Sequence, residues 1–272
     1  MDDSLVDRRG AGGGDPPATT ARTAKSVLRF ALLGFASLPL LFVYQLVLYV
    51  GGLTLFGDFE TTGPAGQILS ALSLGLATLT LAIVYIRYSG RDWSFVDLKF
   101  PSLRDVGYAV GGFVVLLLGF VAVSALFNLL GISTAQHSTT ETARQAGNPA
   151  LLLPLIPLSL LIIGPGEELL YRNVIQKSLA EKLGNPAAVV VASLIFALAH
   201  IPAYAMGGAA ATAVASTLFA IFVLSLILGG TYALSENLLV PAFIHGLYNA
   251  LTFYQTYSSL ANDASQAFLA FF

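Results

Sequence analysis

Long apolar runs alternate along the chain with short polar connections. Seven of them lie at roughly 28–55, 64–87, 106–130, 150–171, 186–201, 209–233 and 238–258. A helix rises about 1.5 Å per residue and the hydrocarbon core of a bilayer is about 30 Å thick, so runs near 20 residues can cross it. The pattern predicts an all-α membrane protein, a polytopic bundle of about seven transmembrane helices. Residues 1–26 carry Gly, Pro, Thr, Asp and Arg without periodicity and read as a disordered cytoplasmic tail. The first apolar run begins too late and continues too long for a signal peptide. Residues 27–149 hold the first three spans and 150–258 the last four. Residues 259–272 form an apolar end too short to span, lying on the surface or disordered.

Composition strengthens this reading. Of 272 residues, 56% are hydrophobic and 10% are charged, against about 25% charged in a soluble domain; the mean hydropathy is +0.78. No Lys/Arg cluster exists to neutralise phosphates, so nucleic acid is not expected as a partner. The absence of cysteine excludes disulfides, thiol nucleophiles and Cys-based metal sites.

Orientation follows from Lys and Arg in the short connections. Arg8, Arg9, Arg22, Lys25 and Arg29 precede or open the first span. Arg87, Arg91, Lys99 and Arg104 flank the second connection, and Lys177 and Lys182 the fourth. The first, fifth and sixth connections have none, and the third has Arg144 alone. The N-terminus is therefore expected in the cytoplasm of a cell-membrane protein, with 88–105 and 173–185 on the same side. Seven spans would put the C-terminus outside. Trp93 reads as an interfacial anchor, and His137 as a solvated residue of an outer loop.

Ionisable side chains inside spans cost several kcal/mol and are functional candidates by default. They occur in three places. In Gly164-Pro165-Gly166-Glu167-Glu168-Leu169-Leu170-Tyr171-Arg172, Gly164 and Pro165 are expected to break the helix and start a new one. That puts both glutamates in a first turn, where free N–H groups favour carboxylates, and Arg172 pairs with Glu168 at i+4. His200 ends the run Phe196-Ala197-Leu198-Ala199. In the last span, His245 and Asn249 share one helix face, and Gly246 admits a neighbouring backbone. Taken singly, each has a plain structural explanation: a charged helix end, a packing histidine, a hydrogen bond between helices.

Geometry joins them. A hairpin of 167–184 and 186–200, turning at Gly184-Asn185-Pro186, has arms of nearly equal length and brings Glu167 level with His200. The polar distal residues Gln176, Lys177, Ser178, Glu181 and Lys182 put its tip out of the bilayer. The carboxylates are then expected a few turns below the cytoplasmic surface. His245, nine residues after Glu236, reaches a similar depth. Such a site can activate water with a carboxylate and stabilise a tetrahedral oxyanion with imidazole and amide donors. The same residue types could instead hold zinc with an open position, although no HExxH helix is present and only two histidines lie within spans.

Glu167-Glu168-x-x-x-Arg172, Phe196-x-x-x-His200 and His245-x-x-x-Asn249, in this order, resemble the CPBP (Abi, CAAX prenyl protease type II) intramembrane peptidases over about 150–255. The resemblance implies an all-helical intramembrane core and hydrolysis of peptide bonds in a peptide or prenylated protein. It also brings the label of metalloprotease, with zinc on Glu167, His200 and His245. By resemblance Glu167 activates water, Glu168 pairs with Arg172 or assists, and His200 positions the water or binds metal. His245 and Asn249 hold the oxyanion, and Phe196 and Arg172 support. Tyr171 and Asn173 depart from the Phe and Gly common at those positions. Two other classes remain open: a non-enzymatic immunity or maturation factor that binds peptides in the same cavity, and a secondary transporter. The absent inverted repeat counts against the transporter.

Overall fold

A computed structural model describes residues 17–57 and 63–269, and every regular element in it is helical. The elements are α1 (Pro17–Phe35), α2 (Ser37–Phe56), α3 (Pro64–Tyr88), α4 (Leu103–Leu130) and the short α5 (Ser138–Gln145). Then come α6 (Pro149–Leu183), which is helical almost throughout, α7 (Asn185–Ala199), the short α8 (Ile201–Ala205), α9 (Ala211–Ser235) and α10 (Leu239–Leu269).

The outward faces of α2 and α4 are lined with large apolar side chains such as Leu46, Leu55, Leu118 and Leu129, each more than half exposed. Water would not tolerate so large an apolar surface; lipid does. The chain is an integral membrane protein. By length and apolarity, five segments among the described residues can cross a membrane: Ala21–Leu55, α3, α4, α6 and α9. Two of the seven expected spans fall short. Helix α7 has 15 residues, below the ~20 needed. Helix α10 has 31 but interrupts its apolar run with His245, Asn249 and Gln255.

Three local expectations are corrected. Residues 17–26 are helical rather than disordered, because α1 already starts at Pro17; residues 1–16 lie outside the described part. At the other end, α10 continues helically through Leu269 instead of ending near 258. Gly164 and Pro165 do not break α6. The helix passes through them with π-helical turns on either side, Ser159–Ile163 and Leu169–Gln176. A π turn widens the helix and accommodates the N–H that proline lacks and the space its ring needs. Glu167 therefore sits in mid-helix, with no free N-terminal amides to favour it.

The hairpin of α6 and α7 turns at Gly184, whose φ of 75° suits glycine. Leu170, Val174, Ile175 and Leu179 of α6 pack against Ala188, Ala192, Ile195 and Phe196 of α7, with Ile86 of α3 and Phe30 of α1 closing the cluster. Lys182 donates to Ser26 Oγ and Arg91 pairs with Glu181. The hairpin tip thus shares one end of the bundle with the start of α1 and the α3–α4 connection. The α9–α10 turn joins them, since Leu238 N donates to Asp97 O.

Helices α6 and α10 cross with their backbones in contact. A Cβ on Gly246 would come within 2.6 Å of Ser159 O, and one on Gly164 within 2.8 Å of Gly246 N. Rigid backbone cannot step aside, so Gly246→Ala should force the helices apart. It is expected to lower stability by about 1–3 kcal/mol, read as a lower melting temperature in detergent. A variant melting with the wild type would contradict the contact.

Candidate active site

The crossing of α6, α7 and α10 places the chemistry. Glu168 has no exposed surface, and both its oxygens are engaged. Oε2 accepts from Arg172 Nε at 2.9 Å, one turn on along α6. Oε1 accepts from His245 Nδ1 at 2.9 Å, across the glycine contact with α10. Arg172 is also fully buried; its Nη2 donates to Ser225 Oγ of α9 at 3.0 Å, and its guanidinium lies 5.1 Å over the Phe196 ring. A carboxylate bonded to Nδ1 fixes the rotation of the His245 ring and turns Nε2 outward.

Glu167, one residue earlier, points into a cavity of about 820 Å³. His245 Nε2 lies 3.6 Å from Glu167 Oε2, and His200 Nε2 lies 4.0 Å from Glu167 Oε1. His200 Nδ1 is 2.8 Å from the Phe196 carbonyl. A carbonyl only accepts, so Nδ1 carries the hydrogen and Nε2 of the neutral ring offers a lone pair to the cavity. Phe196 is the packing hub: its ring meets Tyr171, His200 and His245 at centroid distances of 5.0, 4.4 and 5.7 Å. Asn249, half-buried and one turn beyond His245, lines the same cavity. The structure thus brings Glu167, His200, His245 and Asn249 around one space and holds Glu168 and Arg172 behind it.

Distances of 3.6 and 4.0 Å exceed a direct hydrogen bond and suit a water between the partners. Glu167 is the single Asp, Glu, Lys or Arg that lines the cavity among the described residues. The arrangement can deprotonate a water and offer donors to an oxyanion beside it.

Several contributors were not legible in advance. His137 is no solvated loop residue. It is half-buried, packs edge-on against Tyr204 at 5.3 Å and lines the cavity with the other two histidines. Its Nδ1 accepts from Thr139 N at 3.2 Å, capping α5. Tyr171 and Asn173, the two departures from the family pattern, are anchors here. The Tyr171 hydroxyl donates to Gly34 O at 3.2 Å. Asn173 Oδ1 accepts from Asp97 N at 2.8 Å and from Tyr232 at 3.2 Å. With Gln176, whose amide donates to Gly229 O, they close the site toward the hairpin tip. The glutamates lie below this layer, but the cavity runs away from the hairpin tip, toward the 131–140 loop and α8.

A family model described as Type II CAAX prenyl endopeptidase Rce1-like matches residues 149–251. Over those residues, fewer than half of the chain, the protein is similar to that family. No curated protein and no solved structure matches the chain. The CPBP match contains all three motifs and supports, as a general class, a CAAX-type endopeptidase working on protein in a membrane. Its metalloprotease label finds no support: among the described residues, no three His, Cys, Asp or Glu side chains are arranged to hold a metal ion. Of the donors nearest to one another, Glu168 is committed to Arg172 and His245.

Two outcomes follow from this geometry. Arg172→Met would leave the Glu168 charge buried against one partner, and removing half of such a pair costs about 3–5 kcal/mol; equilibrium unfolding in detergent should show a loss of that size. For His137, burial, with the His200 ring adding to it, pushes the imidazole down to about 4 from its ordinary 6.5. An opened loop takes up a proton between those values and the closed one does not, so closure weakens as pH falls from about 6.5 to 4. Amide exchange in 131–148 should quicken over that window in the wild type, and His137→Gln should flatten the dependence.

Proposed function

We propose that this protein is an intramembrane endopeptidase in which Glu167 activates water. The observation that carries the reading is Glu167 itself, a carboxylate facing a cavity with one imidazole Nε2 3.6 Å from one oxygen and another 4.0 Å from the other. Water held by Glu167 and the Nε2 lone pair of His200 loses a proton to the carboxylate as its oxygen attacks the peptide carbonyl carbon. The carbonyl π pair moves to oxygen. The Asn249 amide and a proton on His245 Nε2, held between two carboxylates, are the donors for that oxyanion. Glu167 then gives its proton to the departing nitrogen as the C–N bond breaks. Glu168 touches no substrate in this scheme. It orients His245, with Arg172 balancing its charge.

The family match supports a peptide or protein substrate, and a prenylated chain end is one candidate that the apolar part of the cavity suits. Cleavage of a peptide library by the purified protein tests the assignment. Glu167→Gln keeps shape and hydrogen-bonding reach but cannot take the proton, and turnover should fall about 10²–10⁴-fold while the protein still inserts and folds. His245→Ala and Asn249→Ala should each lose a similar order. Their combination should lose less than the product, because groups acting as a unit are not additive. Turnover that survives exhaustive chelation yet disappears in Glu167→Gln would make the glutamate the catalyst without metal; loss on chelation and return with zinc would overturn that. A binding or immunity factor, or a transporter, requires full function in Glu167→Gln.

A further inference from the structure

Two observations made separately bear on which side of the membrane the site serves. The first is the direction of the cavity. Its lining includes Thr134 and Gln136 of the 131–137 loop and Pro202 and Met206 around α8, of which Thr134, Gln136 and Met206 are exposed. No residue of the 88–102 connection, the hairpin tip or the α9–α10 turn lines it among the described residues. Toward those segments the glutamates are covered by Arg172, Asn173 and Gln176, each at most 2% exposed. Tyr232 seals the same layer by donating to Asp97 Oδ2 at 2.6 Å. The cavity is closed at the hairpin-tip end and open at the other.

The second is the distribution of cations. Every described Lys or Arg except Arg144 and the buried Arg172 belongs to the hairpin-tip end: α1, the flanks of the 88–102 connection and the distal half of the hairpin. Arg8 and Arg9 precede α1 in the sequence. Cations in short connections mark the cytoplasmic side, and acidic residues contribute little to that choice. The Lys/Arg-poor end, where the cavity opens, is then the outer one.

We infer that the cavity opens to the extracytoplasmic side, so that its substrates are exported or membrane-anchored polypeptides presenting the scissile segment from outside. This rests on the endopeptidase reading for the word substrate, but not for the direction of opening. The mouth adds a chemical preference. Gln67, Asn128, Thr134, Gln136 and Thr140 supply uncharged hydrogen-bonding groups, with no Lys, Arg, Asp or Glu among them. An extended segment without charges can satisfy its amides there and reach Glu167; a charged one would leave its charge unpaired in an apolar wall.

Because the chain has no cysteine, single-cysteine variants report cleanly. Ser138→Cys at the mouth and Ser89→Cys in the opposite connection are treated with a membrane-impermeant maleimide in intact cells and in inverted vesicles. Ser138→Cys should label in cells and Ser89→Cys in inverted vesicles alone. The reverse pattern overturns the inference and leaves the endopeptidase reading untouched. The second measurement uses one uncharged reporter segment joined to a transmembrane helix in either orientation. Cleavage of the outward-facing form, abolished in Glu167→Gln and blocked when Ser138→Cys cells are pretreated with the maleimide, supports the inference. Cleavage confined to the cytoplasmic form overturns it. Failure of the endopeptidase reading has its own signature, equal cleavage by wild type and Glu167→Gln.

Discussion

A carboxylate with no exposed surface inside a lipid-embedded bundle is the constraint around which this molecule is arranged. Glu168 meets it with two charge-capable partners from different parts of the chain: Arg172, one turn along the same helix, and His245, on the last. Losing either would strand a charge where the effective dielectric is low. The pair also recruits Ser225 from α9 and the face of Phe196 from α7. One buried group thereby ties together four of the helices that wall the cavity, and its demand for partners sets where each of them must lie.

Close contact between backbones makes that arrangement reachable. His245 can bond Glu168 because Gly164 and Gly246 let α6 and α10 touch without side chains between them. In lipid there is little hydrophobic force between helices, so small residues at a crossing contribute through the packing they permit. The π turns on both sides of Gly164–Glu168 belong to the same solution. They carry α6 through Pro165 without a break and leave consecutive glutamates doing different things. Glu167 is aimed into the cavity, and Glu168 into the protein.

The cavity has a sealed end and an open one, and the polarity of the sealing layer explains the difference. Asp97, Asn173, Lys177 and Tyr232 bond one another and the Phe95 carbonyl, and Gln176 beside them donates to the Gly229 carbonyl. Two atoms of the covering layer, Arg172 Nη1 and Gln176 Oε1, are buried without a hydrogen-bond partner among the described residues; the remaining polar groups there are paired. At the open end, the loop before α5 is held to α9 by fewer bonds, those of Ala135 with Ala213 and Thr217. Local stability follows the density of such contacts. The two ends therefore differ in how readily they open, as well as in charge.

What the sequence determined by itself was the part governed by solvent and by local spacing. Apolar runs near the thickness of a bilayer specify a helical membrane protein, because backbone groups in lipid must be satisfied within the segment. The i+4 pairs Glu168–Arg172 and His245–Asn249 follow from helical periodicity alone, and the nearly equal arms of the hairpin bring Glu167 level with His200. Tertiary structure decided the rest. Whether Pro165 breaks a helix depends on the room its neighbours leave, and π turns here provide it. Whether Glu167 or Glu168 faces the cavity depends on the rotation of α6 against α10, which two glycines fix through contacts about 80 positions apart. His137 looked solvated because its neighbours in sequence are polar; Tyr204, 67 positions on, covers it. The direction in which the cavity opens is a property of no segment. It emerges when a layer of polar side chains from α3–α4, α6 and α9 closes one end and nothing comparable closes the other.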